Sequence, residues 1–213
     1  MKHKIFGTAF VVLGVILILA ALSMAVFNLW QEEKSGLSAG LAMEQLLEQM
    51  PEDTTPATPD IPNLPVALPV TGEPSGEPEF RSMPEIQVDG ISYVGYLSIP
   101  ALKLELPVIS ESTEENLEIA PCRFFGTVYQ KDFVIGGHRY RRHFRKLSTL
   151  GYGERLSFTD VEGNVYIYEV AECEVLKPNE AEYLCTGEWD LSLFTCTPGG
   201  MTRVVLRCLR VKG

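Results

Sequence analysis

The chain has 213 residues and a formal net charge of −10, room for one ordinary domain plus additional segments. The charge is uneven: residues 1–90 hold four basic and twelve acidic side chains, whereas 91–213 hold fourteen and sixteen. No basic excess is available to bind nucleic acid, and the acidic N-terminal region has the character of an extended, soluble tether.

Residues 5–30, IFGTAFVVLGVILILAALSMAVFNLW, contain no charged side chain. About 20 such residues cross the hydrocarbon core of a bilayer as a helix. Lys2 and Lys4 favour a cytoplasmic N-terminus, and Trp30 suits the far interface. A cleaved signal peptide is the rival, with Ser23-Met24-Ala25 as a poor cleavage site, but the run exceeds a typical apolar region of about 7–15 residues. Residues 1–30 are therefore expected to form a cytoplasmic stub and a single-pass anchor in the cell membrane, with the rest extracellular.

Residues 31–85 are expected to form an acidic, Pro-rich stalk. SAGLAMEQLLEQM (38–50) spaces Leu41, Leu46, Leu47 and Met50 loosely like one face of a short helix. Nine prolines then fall between Pro51 and Pro84, an extended, polyproline-like composition that cannot fold alone. Within it lies Leu68-Pro69-Val70-Thr71-Gly72, a pentapeptide without periodicity.

Residues 86–213 are long enough for a compact core. Strands are predicted at SYVGYLSI (92–99), LELPVI (104–109), DFVIGG (132–137), RLSFT (155–159), VYIYEVAECEVL (165–176), LSLFT (191–195) and RVVLRCLRV (203–211). HFRKLSTL (143–150) is the one convincing helical piece in this region, with Phe144, Leu147 and Leu150 on one face. Many short strands with sparse helix make the domain mainly β, a closed or nearly closed barrel.

Five cysteines lie beyond the apolar run: Cys122, Cys173, Cys185, Cys196 and Cys208. An odd count leaves at least one thiol outside any pairing within the chain, and which of the other four pair is undecided by spacing. Cys196 ends an apolar strand before Thr197-Pro198-Gly199-Gly200, and Arg203 opens the strand after that turn. His138 ends DFVIGG in the same way. A thiolate nucleophile, an imidazole to protonate a leaving amine and a guanidinium for an oxyanion would together make an acyl-transfer site. Inert filling is the competing reading for such a cysteine, and a surface or capping role for such a histidine.

His143 has no third residue spaced to complete a metal site and is expected to be solvated. No carboxylate cluster suits calcium, and no cofactor is expected. Arg139, Arg141, Arg142, Arg145 and Lys146 read as a charged face, or as a seat for the phosphate of a lipid-linked acceptor.

The segments LSLFTC (191–196), VIGGHRYRRHF (134–144), GYLSIPALKLELPVI (95–109) and RVVLR (203–207) resemble, in order, four motifs of the sortase family. The likeness covers essentially all of 86–213. It implies an eight-stranded β-barrel and a membrane-anchored cysteine transpeptidase of a Gram-positive-type envelope. It further implies Cys196 as nucleophile, His138 as acid/base and Arg203 as transition-state arginine, with Arg207 the alternative on the same strand face. The substrates implied are sorting-signal peptides, attacked at a Thr carbonyl to give a thioester, and an amine of a cell-wall precursor or a pilin lysine. IAPCRF (119–124) and RRHF (141–144) are similar to the class B group. Cys196-Thr197-Pro198 is similar to the pilin-polymerising group, against which the absence of an Asp-Pro-aromatic lid tripeptide and of an apolar C-terminal tail argues.

Beside that resemblance, Leu68-Pro69-Val70-Thr71-Gly72 matches the L-P-x-T-G sorting signal. Chance in a Pro/Thr-rich stalk, a tethered pseudosubstrate at high effective concentration, and self-cleavage after Thr71 are the three readings. Two other functions stay open at this stage: a thiol hydrolase or protease of the envelope, and a non-catalytic anchored envelope protein.

Overall fold

The computed structural model describes residues 2–51, 82–185 and 188–211, so the pentapeptide Leu68-Pro69-Val70-Thr71-Gly72 lies outside the described residues. Nine strands form one sheet: β1 (Ile86–Val88), β2 (Ile91–Ile99), β3 (Leu104–Ile109), β4 (Cys122–Phe125), β5 (Phe133–Gly136), β6 (Arg155–Asp160), β7 (Val165–Leu176), β8 (Leu191–Cys196) and β9 (Arg203–Arg210). Their order is β1-β2-β3-β4-β5-β8-β9-β7-β6, and β6 returns to pair with β2. The ring from β2 to β6 is thus a closed barrel of eight strands, the architecture expected from the sequence, with β1 appended to the first half of β2.

Closure depends on a close approach of two backbones. Gly95 lies at a bulge in β2, and a Cβ there would come within 2.0 Å of the Thr159 carbonyl on β6. A side chain at 95 would push the closing strands apart. Inside the ring, Leu97, Ile99, Phe133, Ile135, Phe158, Leu193 and Leu206 are fully buried. Phe133 meets Phe158 edge-on, with ring centroids 4.9 Å apart.

The helical spacing read at 38–50 lies within a longer helix, which also covers residues 31–37 of the segment expected to be stalk. One unbroken helix, α1, runs Lys2–Gln49 and docks on the barrel through its second half. Ser35, Gly36, Ala39, Ala42, Met43, Leu46 and Met50 are buried, the three-and-four spacing of a single helix face. Leu41, expected on that face, is 63% exposed. Leu46 and Met50, expected on that face, are buried, and Leu47 packs partly against the core, while Ser35, Gly36, Ala39 and Ala42 extend the face in small residues that a search for large apolar ones misses. Gly36 shows why small size matters: a Cβ there would meet the Arg142 side chain at 2.2 Å. The first half of α1 holds an apolar window long enough to cross a membrane, none of it buried against the protein.

A short helix, α2 (Glu114–Ile119), follows β3; Thr113 caps it by accepting from the Asn116 N–H at 3.1 Å. The helical piece expected at 143–150 is a 3₁₀ helix over Phe144–Thr149, with Phe144 and Leu147 buried as predicted.

Candidate active site

Strands β5 and β8 run parallel, with Gly136 opposite Phe194. Two residues further along each, His138 and Cys196 leave the barrel at the same end. The Gly137 N–H donates to the Phe194 carbonyl at 3.1 Å, which carries the register past the end of β5. Strands β8 and β9 are antiparallel, and Cys196 stands directly opposite Arg203. The turn between them is held by Thr197, whose N–H donates to the Thr202 carbonyl at 2.9 Å. Gly199 and Gly200 occupy left-handed backbone at φ 86° and 71°, so the chain reverses there without strain.

Cys196 is exposed and shares an open cleft of about 340 Å³ with His138, Tyr140, Arg145 and Pro198. Arg203, half-exposed, stands across the ladder from Cys196 rather than in the cleft wall. The His138 Nε2 lies 3.6 Å from Glu114 Oε1 of α2, and its ring packs at 4.9 Å on that of Tyr140. Glu114 is 77% exposed, so water screens this pair. Burial, then the carboxylates of Glu118, Glu114 and Glu32, push the Tyr140 phenol up and keep it a neutral donor. Neither Glu114 nor Tyr140 stands out in the sequence. The capping Thr113 signals where α2 begins, but only the folded chain brings its Glu114 to the histidine.

The Phe194 side chain covers Gly136, where a Cβ would meet its ring at 2.7 Å. Phe124 of β4 meets the same ring edge-on, centroids 5.2 Å apart. Gly136 is bare so that this ring can lie flat on the sheet two residues before the cysteine.

Arg207 takes no part in the cleft. It is 2% exposed, and its guanidinium donates to Glu174 Oε1 at 2.7 Å, Ser192 Oγ at 2.9 Å, and the carbonyls of Leu184 and Tyr183. Every arm of the fork is used: Glu174 and Ser192 fix it on the sheet, and the two carbonyls tie the 178–185 segment to it. Of the two arginines considered, Arg203 alone has an uncommitted head group.

The cleft has a wall absent from any expectation: Asn28, Gln31 and Glu32 of α1. Glu32 pairs with Arg145, Glu33 with Arg142 at 3.0 Å, and the Gln31 Nε2 donates to Glu118 Oε1 at 3.1 Å. His143, expected in solvent, is 1% exposed beneath this helix, its Nε2 3.4 Å from Ser35 Oγ. Burial, then the charge of His138, pull its imidazole down to about 4, so it is a neutral core residue at neutral pH. The docking of α1, invisible in the spacing of 138–146, is what buries it.

All five thiols are free. Burial pushes Cys122 up to about 12 and Cys208 higher still, and burial with a neighbouring carboxylate raises Cys173 and Cys185. These shifts all favour the protonated thiol, and the buried Cys122 and Cys208 are also closed to solvent. Among the described residues no group of three or more His, Cys, Asp or Glu side chains is placed to hold a metal ion.

A family model described as the sortase domain matches residues 97–211. Sortase A from Bacillus anthracis is 27% identical over 126 residues, covering 56% of this chain and 60% of that protein. The chain therefore spans about three fifths of the length of that curated relative. Crystalline sortase C1 from Streptococcus agalactiae superposes with a TM-score of 0.53 at 24% identity, covering 60% of this chain and 72% of its own. A Clostridium perfringens sortase C solved with the C-terminal cell wall sorting motif gives 0.51 at 22% identity, with 57% and 71% covered. These three carry class A and class C names, whereas the 119–124 and 141–144 motifs resemble class B.

Proposed function

This chain belongs to the sortase family, and on that premise we propose that it is a membrane-anchored cysteine transpeptidase that cleaves sorting-signal peptides. The observation that carries the reading is a coincidence of register. The parallel β5–β8 ladder puts His138 level with Cys196, and the antiparallel β8–β9 ladder sets Arg203 opposite the same cysteine. His138, 58 residues from Cys196 in sequence, and Arg203, across one turn from it, thus come to the same strand end, which supports an acyl-transfer reading.

In this mechanism the Cys196 thiolate adds to the Thr carbonyl carbon of the sorting signal. Negative charge moves to the carbonyl oxygen, and the Arg203 guanidinium stabilises it. The C–N bond to the following residue breaks, the leaving nitrogen takes a proton from His138, and a thioester remains on Cys196. An amine of the cell wall or a pilin then attacks the thioester and gives up a proton to His138. The amide forms and the thiolate departs. The Clostridium perfringens structure containing a sorting motif supports the class of substrate. The apolar half of α1 supports attachment to the membrane, with the catalytic domain outside the cell.

The test is incubation of the full chain with a panel of sorting peptides, with and without an amine acceptor, and product masses read out. A transpeptidase gives the amide when the amine is present, and Cys196→Ala gives neither product. Release of the acid alone, undiminished by added amine, would make the protein a thiol hydrolase. Turnover by neither route would leave a non-catalytic envelope protein.

A further inference from the structure

We infer that the barrel end bearing Cys196 rests on anionic lipid head groups, contacted by Arg139, Arg141 and the β8–β9 turn that carries Met201. The inference depends on α1 being the membrane anchor. Three observations carry it.

The first is axial position. Charge-free sequence ends at Trp30, and the cleft wall is formed by Asn28, Gln31 and Glu32. At about 1.5 Å per residue these wall positions span roughly 6 Å of helix, the thickness of one head-group layer. A tryptophan in the middle of that span sits where interfacial anchors sit. The cleft therefore opens at head-group depth rather than at the end of a long tether.

The second is rigidity. The helix is continuous from Lys2 to Gln49, so no flexible joint separates the anchor from the barrel. Ala39, Ala42 and Leu46 pack its distal part on the domain, and Glu32 with Arg145 and Glu33 with Arg142 fasten the part beside the cleft. The residues that share the cleft with Asn28, including Thr197 to Gly199, belong to the membrane-side end of the barrel.

The third is the chemistry of that end. Of the five cations in 139–146, two are neutralised by α1 carboxylates. Arg139 lines the cleft, Arg141 is exposed, and neither has a carboxylate partner among the described residues. Met201, in the turn beside Pro198 and Gly199, is 73% exposed. Unpaired guanidiniums and an unburied apolar tip at head-group depth match a phosphate-rich, partly apolar surface.

The experiment places the full chain in nanodiscs whose lipids carry a paramagnetic label either on the head group or in the acyl chain. Amide line broadening is then compared between phosphatidylglycerol and phosphatidylcholine discs. With phosphatidylglycerol, the head-group label broadens 139–141 and 199–201 at least twofold more than 46–50 at the far end of α1. The difference falls at least twofold in phosphatidylcholine, and likewise with R139E/R141E in phosphatidylglycerol. Broadening that ignores lipid charge, or that is equal at both ends, overturns the inference while the acyl-chain label still reports residues 12–29 inside the bilayer. Absence of acyl-chain contact at 12–29 would overturn the anchor reading itself, and this inference with it.

Discussion

The rim and the middle of the β8–β9 ladder carry the same residue type to opposite ends. Arg203 and Arg207 lie on one strand four residues apart, on the same side of the sheet by alternation. Arg207 is buried, with its donors spent on Glu174, Ser192 and two carbonyls, whereas Arg203 stands at the open strand end opposite Cys196. The difference teaches that a guanidinium is available for chemistry only where the fold leaves its hydrogen bonds unmade. Position in the barrel, more than residue type, separates an arginine committed to structure from one whose head group is free.

That contrast is open to a direct break. Arg207→Ala leaves the Glu174 carboxylate and the Ser192 hydroxyl without their partner, at a cost of about 3–5 kcal/mol in chemical denaturation. Arg203→Ala should leave the denaturation midpoint near that of the parent and lower kcat/KM about 10²–10³-fold. Exchange of these two outcomes, with Arg207→Ala silent in stability and Arg203→Ala unfolding, would reverse the assignment of the two arginines.

The two halves of α1 sharpen the comparison further. His143 is buried under the docked half with its imidazole held at about 4, below the ordinary value of 6.5. A depressed histidine means that the unfolded chain binds the extra proton first, so stability falls as pH drops from 6.5 through 4. The loss is on the order of 3 kcal/mol across that window, and His143→Gln should abolish this part of the acid sensitivity in denaturation curves. On the contact face, Ala42→Leu should overpack the helix against the barrel and cost about 1–3 kcal/mol. Leu41→Ala, on the solvent face, should stay within about 0.5 kcal/mol. The smallest effect concerns the pentapeptide. If Leu68–Gly72 competes for the cleft, Thr71→Ala changes the rate on added peptide by a few fold through lost effective concentration. Identical kinetics would leave the pentapeptide as spacer.

How much of this was legible in the sequence follows from what pattern can encode. Strands of six residues or more, such as 104–109 and 165–176, declare themselves by β-branched and aromatic content, and their predicted limits coincide with β3 and β7. β1 has three residues and β4 four, too short to show a period, and both form because a neighbouring strand offers them a hydrogen-bonding edge. Cys196, His138 and Arg203 stand out because each follows or opens an apolar strand beside glycine. The sequence places them singly, and only the parallel β5–β8 register sets the first two level. Helix α1 was half legible. Its apolar span is plain from hydropathy and Leu46 and Met50 of its docking face show in the spacing, but the part of that face beside the cleft is built from Ser35, Gly36, Ala39 and Ala42, residues that no search for hydrophobic stripes weights strongly. His143 was misplaced for the same reason, since the group that buries it lies 108 residues away in the chain.

The central claim is that Cys196 carries the acyl group. Intact-mass measurement of the full chain mixed with a sorting peptide, quenched early in acid and mapped by proteolysis, tests it most directly. The account predicts an added mass equal to the peptide acid ending at its Thr less one water, located on Cys196, which disappears when an amine is supplied and never forms in Cys196→Ala. An adduct on Cys122, Cys173, Cys185 or Cys208, or one that survives in Cys196→Ala, would contradict it.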